Sequence, residues 1–242
     1  MINTWMGRRA ALRPVRAPVT YGIIALCCLF FVVGPASGLS PAYGTGERLL
    51  TAQGDYFRRW GVVPAELFSG PPRDLFTPLT ALFVHGSWLH LLGNMLFLQV
   101  FGVMAEERMG RLRFTLFYVG CGTLALLGYA VANAGSERAL VGASGAISAV
   151  LGAFLYLFPS ARVTSLLPFL FFLPLRFPAW VVLPLWAALQ WLAAGRDTSG
   201  PGVAYLAHLV GFSLGFLHAW GWQRPGTRVR ATAPAPEGEE PQ

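Results

Sequence analysis

The chain has 242 residues, of which 55% are hydrophobic and only 12% are charged, and its mean hydropathy is +0.53. Soluble domains carry about 25% charged residues, so these charges are too few to cover a water-soluble fold of this size. The composition excludes soluble, disordered, coiled-coil and nucleic-acid-binding proteins. All 18 basic residues are Arg and fall between apolar runs, so the net charge of +7 indicates contact with a lipid bilayer, not with nucleic acid.

Six apolar stretches lie between the charged residues, and each has at least 19 residues between its flanking charges. About 20 apolar residues cross a bilayer as a helix. We therefore predict an all-α membrane domain over residues 19–222, a bundle of six transmembrane helices at about 19–39, 86–105, 114–134, 142–159, 177–194 and 202–222. A basic segment (1–18) precedes this domain. A tail rich in Pro, Ala and Glu (223–242) follows it and is predicted to be disordered.

Two segments between the predicted helices have distinct compositions. Residues 40–85 form a long loop whose stretch Tyr56–Trp60 mixes aromatic residues with Arg, which is typical of the lipid headgroup region. The apolar run 163–175 has 13 residues and two prolines, which is too short to span. We predict that it forms an interfacial or re-entrant loop. The three cysteines lie in apolar stretches without metal-ligand spacing and are interpreted as small hydrophobic residues.

The distribution of Arg predicts the orientation. With the N-terminus in the cytoplasm, twelve Arg lie on the cytoplasmic side and six on the outer side. Both termini are therefore predicted to be cytoplasmic, with the loop 40–85 outside. A cleavable signal peptide is the alternative for the first apolar run, because the small residues Ala36–Gly38 follow it. Its removal would leave the other helices in place.

Polar side chains within membrane spans are costly and are functional candidates by default. His90 and Asn94 form an i,i+4 pair in the second predicted helix, Ser144 opens the fourth, and His208 lies early in the sixth. These three helices run in the same direction. Their polar groups should therefore meet at a similar depth near the outer membrane face.

This combination of residues is suited to acyl transfer. Ser144 would be the nucleophile and His208 the general base. His90, Asn94 and the backbone N–H of Ser144 would donate hydrogen bonds to the oxyanion. No Asp or Glu lies within a predicted span, so the arrangement would be a dyad without an acidic third member.

Small residues next to these candidates predict close helix packing. They are Gly211 and Gly215 in the sixth predicted helix and Gly145, Ser148 and Gly152 in the fourth. Stripes of small residues let helix backbones approach closely, which would bring the serine within reach of the histidine. Gly142 and Gly145 would also leave the nucleophile uncrowded at a helix start, where backbone N–H groups are unpaired.

Each signal alone has a simpler explanation, because membrane serines commonly bond their own helix and a His or Asn commonly bridges two helices. Their joint occurrence at one depth favours catalysis. His85 and His218 are interpreted as non-catalytic, with His85 at the outer interface. Glu106–Arg108 is interpreted as a solvated cap or ion-pair cluster.

These motifs resemble those of the rhomboid intramembrane serine proteases over about residues 19–222. The similar segments are His85–Asn94, Glu106–Gly110, Gly142–Gly145 and the pattern from Ala207 to Gly215. The resemblance implies a six-helix core, a Ser144–His208 dyad and an oxyanion site formed by His90, Asn94 and Ser144. It also implies cleavage of other transmembrane proteins near the outer face, with neither cofactor nor metal, and a lateral gate near the second and fifth helices.

The chain departs from the family pattern at two places. Some members carry a Trp-Arg pair where this chain has Phe76-Thr77. Many carry a Tyr stacked on the catalytic histidine where this chain has Ser148, and Tyr205 is a candidate substitute. Neither change removes a catalytic atom.

Substrates and alternatives follow from the same residues. A helical substrate must unwind before its carbonyls can be attacked, so we expect Gly, Ala, Ser or Pro near the top of a single span. A non-cleaving rhomboid relative that binds membrane clients is the main alternative. A transporter or channel is disfavoured, because no acid lies within a span and no internal repeat is present. The all-Arg composition favours a bacterial cytoplasmic membrane protein, and the sequence indicates no oligomeric state.

Overall fold

The computed structural model describes residues 16–167, 173–194 and 204–222. The predicted disordered tail and most of the basic N-terminal segment therefore lie outside the described residues. The described chain contains helices α1 Pro18–Val33, α2 Gly46–Trp60, α3 Pro64–Leu67, α4 Thr77–Thr80, α5 Trp88–Phe97, α6 Val103–Met109, α7 Arg111–Ala132, α8 Ser144–Leu157, α9 Ala179–Ala194 and α10 Tyr205–Trp222. Strands β1 Arg162–Leu167 and β2 Leu173–Pro178 pair antiparallel between α8 and α9.

A π-helical turn at Leu98–Gly102 joins α5 and α6 into one continuous helix, Trp88–Met109. Within the described ranges, this helix and α7 are long and apolar enough to cross a membrane, whereas α1, α8 and α9 are apolar but shorter. A helix of about 20 residues is needed for a full crossing. The number of six spans therefore stays a prediction.

Helix α8 lies at the centre of the fold. Every side chain from Gly145 to Phe154 is buried, and α8 packs against α10, α7, α9 and the π-helical turn. Its first half is built from small residues, which lets several helices approach it at once. Helix α9 is much less buried than α8, because only Ala179 and Leu183 are buried among its sixteen residues.

The backbones of α8 and α10 come closest at glycines. A Cβ added at Gly211 would lie 2.2 Å from the carbonyl oxygen of Gly145, and one added at Gly215 would lie 1.9 Å from that of Ala149. On α8, a Cβ added at Gly152 would lie 2.0 Å from the backbone oxygen of Phe212 on α10. No side chain larger than hydrogen fits at these positions. This contact fixes the two helices that carry the serine and histidine candidates.

Several helix ends differ from the sequence prediction. Helix α1 ends at Val33, not at residue 39, because Gly34 is extended (ψ 167°) and Pro35 begins a short 3₁₀ turn. Helix α8 begins at Ser144, not at residue 142, because the φ of Gly142 is +129°, outside the helical range. Helix α9 begins at Ala179, not at residue 177, because residues up to Pro178 belong to β2. Pro184 therefore lies inside α9, whereas Pro178 does not.

The run 163–175 was predicted to be an interfacial or re-entrant loop. Its described residues, 163–167 and 173–175, belong to the paired strands β1 and β2, and its place relative to the membrane stays a prediction. Two polypeptide segments that are too short to span can still satisfy their backbone groups by pairing with each other. The pairing register runs from Arg162–Pro178 to Leu167–Leu173. Residues 168–172 lie outside the described part of the chain.

The long loop 40–85 contains helical structure. Helix α2 is amphipathic and has no buried residue. Near its C-terminal end Arg58 forms an ion pair with Glu66, and the Arg59 guanidinium lies 5.4 Å from the centre of the Trp60 ring. Exposed aromatic and Arg side chains side by side are typical of the membrane interface. Contact of this loop with headgroups stays a prediction.

Glu106 was interpreted, with Glu107 and Arg108, as part of a solvated cap or ion-pair cluster, and the prediction that it is solvated is wrong. Glu106 is 1% exposed. Its carboxylate accepts hydrogen bonds from the backbone N–H of Val19 at 3.1 Å and of Thr20 at 2.7 Å, and from the Thr20 hydroxyl at 2.8 Å. Helix α1 lacks a side-chain cap of its own. Glu106 therefore caps the start of α1 from another helix, where a negative charge is favoured by the helix dipole.

Candidate active site

The predicted site residues from three helices line one cavity of about 680 Å³. Its polar wall contains Ser144 at the first position of α8, His208 from α10, and His90 and Asn94 from α5. Ser87, Arg138 and Ser148 complete the polar lining. The folded chain therefore brings together the four side chains that the sequence analysis selected, although they are up to 118 positions apart in sequence.

Ser144 stands at a sharp backbone turn. Gly142 adopts a φ of +129°, a conformation that residues with a side chain rarely adopt. A Cβ at this position would lie 2.8 Å from the Nε2 of His90 and 3.7 Å from the Oγ of Ser144. The serine hydroxyl and the His90 ring therefore border the same small space, and Gly142 keeps that space open.

The hydrogen bond of His90 determines which of its ring nitrogens carries the proton. The backbone N–H of Gly86 donates to His90 Nδ1 at 3.3 Å. With Nδ1 as acceptor, a neutral ring carries its hydrogen on Nε2. That nitrogen is the one beside Gly142 and the serine hydroxyl. The His90 ring can thus donate a hydrogen bond into the site.

Asn94 lies one helical turn after His90 and is 8% exposed. Its Nδ2 donates to the backbone oxygen of His90 at 2.9 Å. This bond uses one of the two amide hydrogens and holds the side chain on the cavity side of α5. The second amide hydrogen remains for a ligand in the cavity.

Three side chains surround the ring of His208, which is 8% exposed. Its Nδ1 lies 2.7 Å from the Oε1 of Gln190 on α9. The Trp186 ring lies nearly parallel to it, at 28° with centroids 6.1 Å apart, and the Tyr205 ring meets it edge-on at 6.4 Å. With Nδ1 donating to Gln190, the Nε2 of a neutral ring is left as an acceptor.

Ser148 stands where many members of the resembling family carry a stacking Tyr, and it does not contact the histidine through its hydroxyl. Its Oγ donates to the backbone oxygen of Ser144 at 2.7 Å. The aromatic ring nearly parallel to that of His208 belongs to Trp186 from α9, whereas the Tyr205 ring meets His208 only edge-on. The hydrogen-bond partner and the parallel aromatic partner of the histidine therefore both come from α9.

Sequence reasoning missed Gln190 and Trp186. The signal for Gln190 was present, because it is the only strongly polar side chain in the apolar run Ala179–Ala194. The rule that selected His90 and Asn94 applies equally to it. Trp186 carried no comparable signal, since tryptophan is common in membrane helices.

The other two histidines of the chain, His85 and His218, do not line this cavity. His85 was expected at the outer interface but is 1% exposed, with its ring 5.2 Å from that of His90. Burial, followed by the nearby His90, lowers the pKa of His85 to about 4, so it is neutral at pH 7. His218 is exposed, with its ring 5.0 Å from that of Phe117.

Comparison with known proteins finds a family profile and relatives that all carry the name rhomboid. The family profile described as "Rhomboid domain" matches residues 72–224. The chain is 36% identical over 142 residues to "Rhomboid protein 1, mitochondrial" of Saccharomyces cerevisiae, covering 57% of this chain and 39% of that protein. It is 30% identical over 124 residues to "RHOMBOID-like protein 5" of Arabidopsis thaliana, covering 51% and 34%.

A third relative is bacterial. The chain is 33% identical over 79 residues to "Putative rhomboid protease YdcA" of Bacillus subtilis, covering 33% of this chain and 39% of that protein. The chain thus spans less than half the length of each of these relatives. The matched segment of this chain, residues 72–224, includes His90, Asn94, Ser144 and His208.

Proposed function

Since the chain belongs to the rhomboid family of integral membrane proteins, we propose that it is an intramembrane serine endopeptidase with a Ser144–His208 dyad. The observation that carries this proposal is the convergence of these two side chains on one cavity, with His208 Nδ1 already bonded to Gln190. A histidine with a satisfied Nδ1 presents Nε2 as a base toward the cavity. A serine and a base that line the same cavity supply the two groups that nucleophilic catalysis needs.

In the first step Ser144 Oγ attacks the substrate carbonyl carbon while His208 Nε2 accepts the hydroxyl proton. The resulting tetrahedral intermediate carries its negative charge on the former carbonyl oxygen. His208 then gives the proton to the leaving amine, which completes the acyl-enzyme. A water molecule, deprotonated by the same nitrogen, releases the second product and restores the serine.

The charge on the intermediate is stabilised by donors at the rim of the same space. They are His90 Nε2–H, the second amide hydrogen of Asn94 and the backbone N–H of Ser144, which is unpaired at the first position of α8. The 3.7 Å between a Cβ at Gly142 and Ser144 Oγ, and the 2.8 Å to His90 Nε2, support this placement. Removing one such donor typically costs about 10²–10³-fold in rate.

The substrates we propose are transmembrane segments of other proteins. Attack needs an exposed carbonyl, and a carbonyl within a regular helix is bonded to the amide four residues further on. Segments with Gly, Ala, Ser or Pro near the site unwind at lower cost. The sparse burial of α9 supports entry between α5 and α9, the side on which the family resemblance expects a gate.

The distribution of Arg supports a site that opens to the outer face, with both termini in the cytoplasm. The all-Arg composition supports a bacterial cytoplasmic membrane, and the matched relatives come from a yeast, a plant and a bacterium. Labelling of single introduced cysteines from either side of the membrane, in a variant lacking the three native ones, would test this topology.

Cleavage of a tagged single-span substrate in liposomes tests the proposed activity. We expect cutting by the wild type, none above background by Ser144→Ala or His208→Ala, and about 10²-fold slower cutting by Asn94→Ala. Activity that survives Ser144→Ala would refute the dyad. No cutting by the wild type across several substrates would favour the non-cleaving, client-binding alternative.

The unwinding requirement has its own test. A substrate whose Gly and Pro residues near the cleavage site are replaced by Leu should be cut more slowly, because its helix is harder to open. A matched substrate with the same replacements at the opposite end of the span should be cut at the original rate. Equal rates for all three substrates would contradict the requirement.

A further inference from the structure

We infer that Gln190 is the positioning residue for His208, acting as the neutral third member of the catalytic group; this rests on the proposed protease function. The dyad lacks the acid that orients the histidine in other serine proteases. The Oε1 of Gln190 lies 2.7 Å from His208 Nδ1, a short distance for a hydrogen bond between neutral groups.

The direction of this hydrogen bond determines the chemistry. A glutamine oxygen is only an acceptor, so Nδ1 must carry the hydrogen and Nε2 must be unprotonated. A neutral histidine in the other tautomer would carry its hydrogen on Nε2 and could not accept the hydroxyl proton there. Gln190 therefore selects the one neutral tautomer that can act as the base.

A neutral acceptor suits this location better than a carboxylate would. Gln190 is half-buried on α9, and its neighbours on that helix are apolar. An unpaired carboxylate there would lose hydration whenever the histidine is neutral. An amide fixes the tautomer without that cost, although it stabilises the protonated histidine less than an acid does.

The helix that carries Gln190 links this contact to substrate entry. Trp186 lies one turn before Gln190, and its ring is nearly parallel to that of His208 and tilted 41° to that of Phe212. Most large side chains of α9 are exposed, such as Leu189 at 55% and Trp191 at 71%. A displacement of α9 would therefore remove both contacts to the histidine. The base is correctly held only while α9 is packed against α10.

Two substitutions separate the hydrogen bond from the packing. Gln190→Met keeps the approximate shape but removes the acceptor, and Gln190→Glu keeps an acceptor. Gln99→Met is the matched control, because Gln99 lies in the π-helical turn and donates to the Tyr21 hydroxyl at 3.2 Å, away from the cavity lining. All variants are compared in the full-length protein in liposomes.

We expect Gln190→Met to lower kcat by about 10- to 100-fold with little change in KM, because the lost contact acts on the base and not on substrate binding. Gln99→Met should retain the wild-type kcat. Gln190→Glu should retain substantial activity with the acidic limb of its pH–rate profile moved to higher pH, because a carboxylate favours the protonated histidine. Among the described titratable and charged side chains, His90 and Arg138 line the same cavity as His208, and Tyr205 on α10 meets its ring. None of them changes in these variants.

The tautomer itself gives a readout that does not depend on cleavage. In ¹⁵N-labelled protein we expect His208 to be protonated at Nδ1 in the wild type and a mixture of tautomers in Gln190→Met. A wild-type ring protonated at Nε2, or an unchanged kcat in Gln190→Met, would overturn the inference. If the wild type cuts and Ser144→Ala does not while the Gln190 variants behave as wild type, only this inference fails and the dyad stands. If Gln190→Met does not fold, the tautomer of His208 in the wild type and the pH–rate profile of Gln190→Glu still test the role of Gln190.

Discussion

Gly215→Ala is expected to abolish most of the proposed protease activity from a position seven residues away from His208. The added Cβ would lie 1.9 Å from the oxygen, 2.5 Å from the carbonyl carbon and 2.7 Å from the Cα of Ala149. Ordinary contacts begin near 3.4 Å, so α10 would have to move from α8 by roughly 1.5 Å. The atoms in the way belong to backbone, which cannot rotate aside as a side chain can.

This displacement has two measurable consequences. Misplacing catalytic groups by about 1 Å can cost about 10²-fold in rate, and overpacking costs about 1–3 kcal/mol of stability. We therefore expect kcat to fall by about 10²-fold and the melting temperature in detergent to drop. Gly221→Ala on the same helix is the control, because a Cβ there meets no atom within 4 Å. Wild-type kcat and melting temperature in Gly215→Ala would refute the close helix contact on which the site depends.

Three further predictions address other parts of the fold. Glu106→Gln should lower stability by about 1–3 kcal/mol, because a buried acceptor of three hydrogen bonds loses its charge, whereas Glu107→Gln should leave the melting temperature unchanged. Gly142→Ala should reduce cleavage by at least about 10²-fold without loss of fold, since its Cβ would enter the oxyanion site 2.8 Å from a ring nitrogen; full activity would contradict that placement. Trp186→Leu should lower kcat by about threefold to tenfold, because the ring of His208, the proposed base, would be held less firmly; Trp191→Leu on the exposed face of the same helix is the control.

The sequence was informative about the site because a membrane makes polar residues conspicuous. Ser144, His208, His90 and Asn94 interrupt long apolar runs, and their positions near the same ends of three helices were enough to group them. The rhomboid fold predicted from their motifs is confirmed by the profile match over residues 72–224. The chemical roles of these side chains stay predictions.

The features that the sequence did not reveal depend on partners that are distant in the chain. Glu106 looked like a surface charge, because nothing local indicates that it caps a helix 86 residues earlier. Gln190 stood out as a polar residue in an apolar run, but its partner His208 could not be identified, because the rotation of α9 about its axis is set by packing. Hydrophobic periodicity locates helices but does not determine which faces meet.

The helix ends were also poorly predicted, for a local reason. The flanking charges mark the limits of an apolar run. A helix, however, begins or ends where the backbone geometry changes, as after Gly142 and before Gly34. The hairpin at β1–β2 was missed because an apolar run broken by prolines does not by itself indicate strand pairing.

Covalent labelling tests directly whether Ser144 is a nucleophile that His208 activates. The full-length protein in liposomes is treated with a fluorophosphonate, which reacts with activated serines, and the site of the adduct is found by mass spectrometry. We predict one adduct, on Ser144, that is absent in Ser144→Ala and at least about 10²-fold slower to form in His208→Ala. An adduct on another serine, or equally fast labelling of Ser144 without His208, would contradict it.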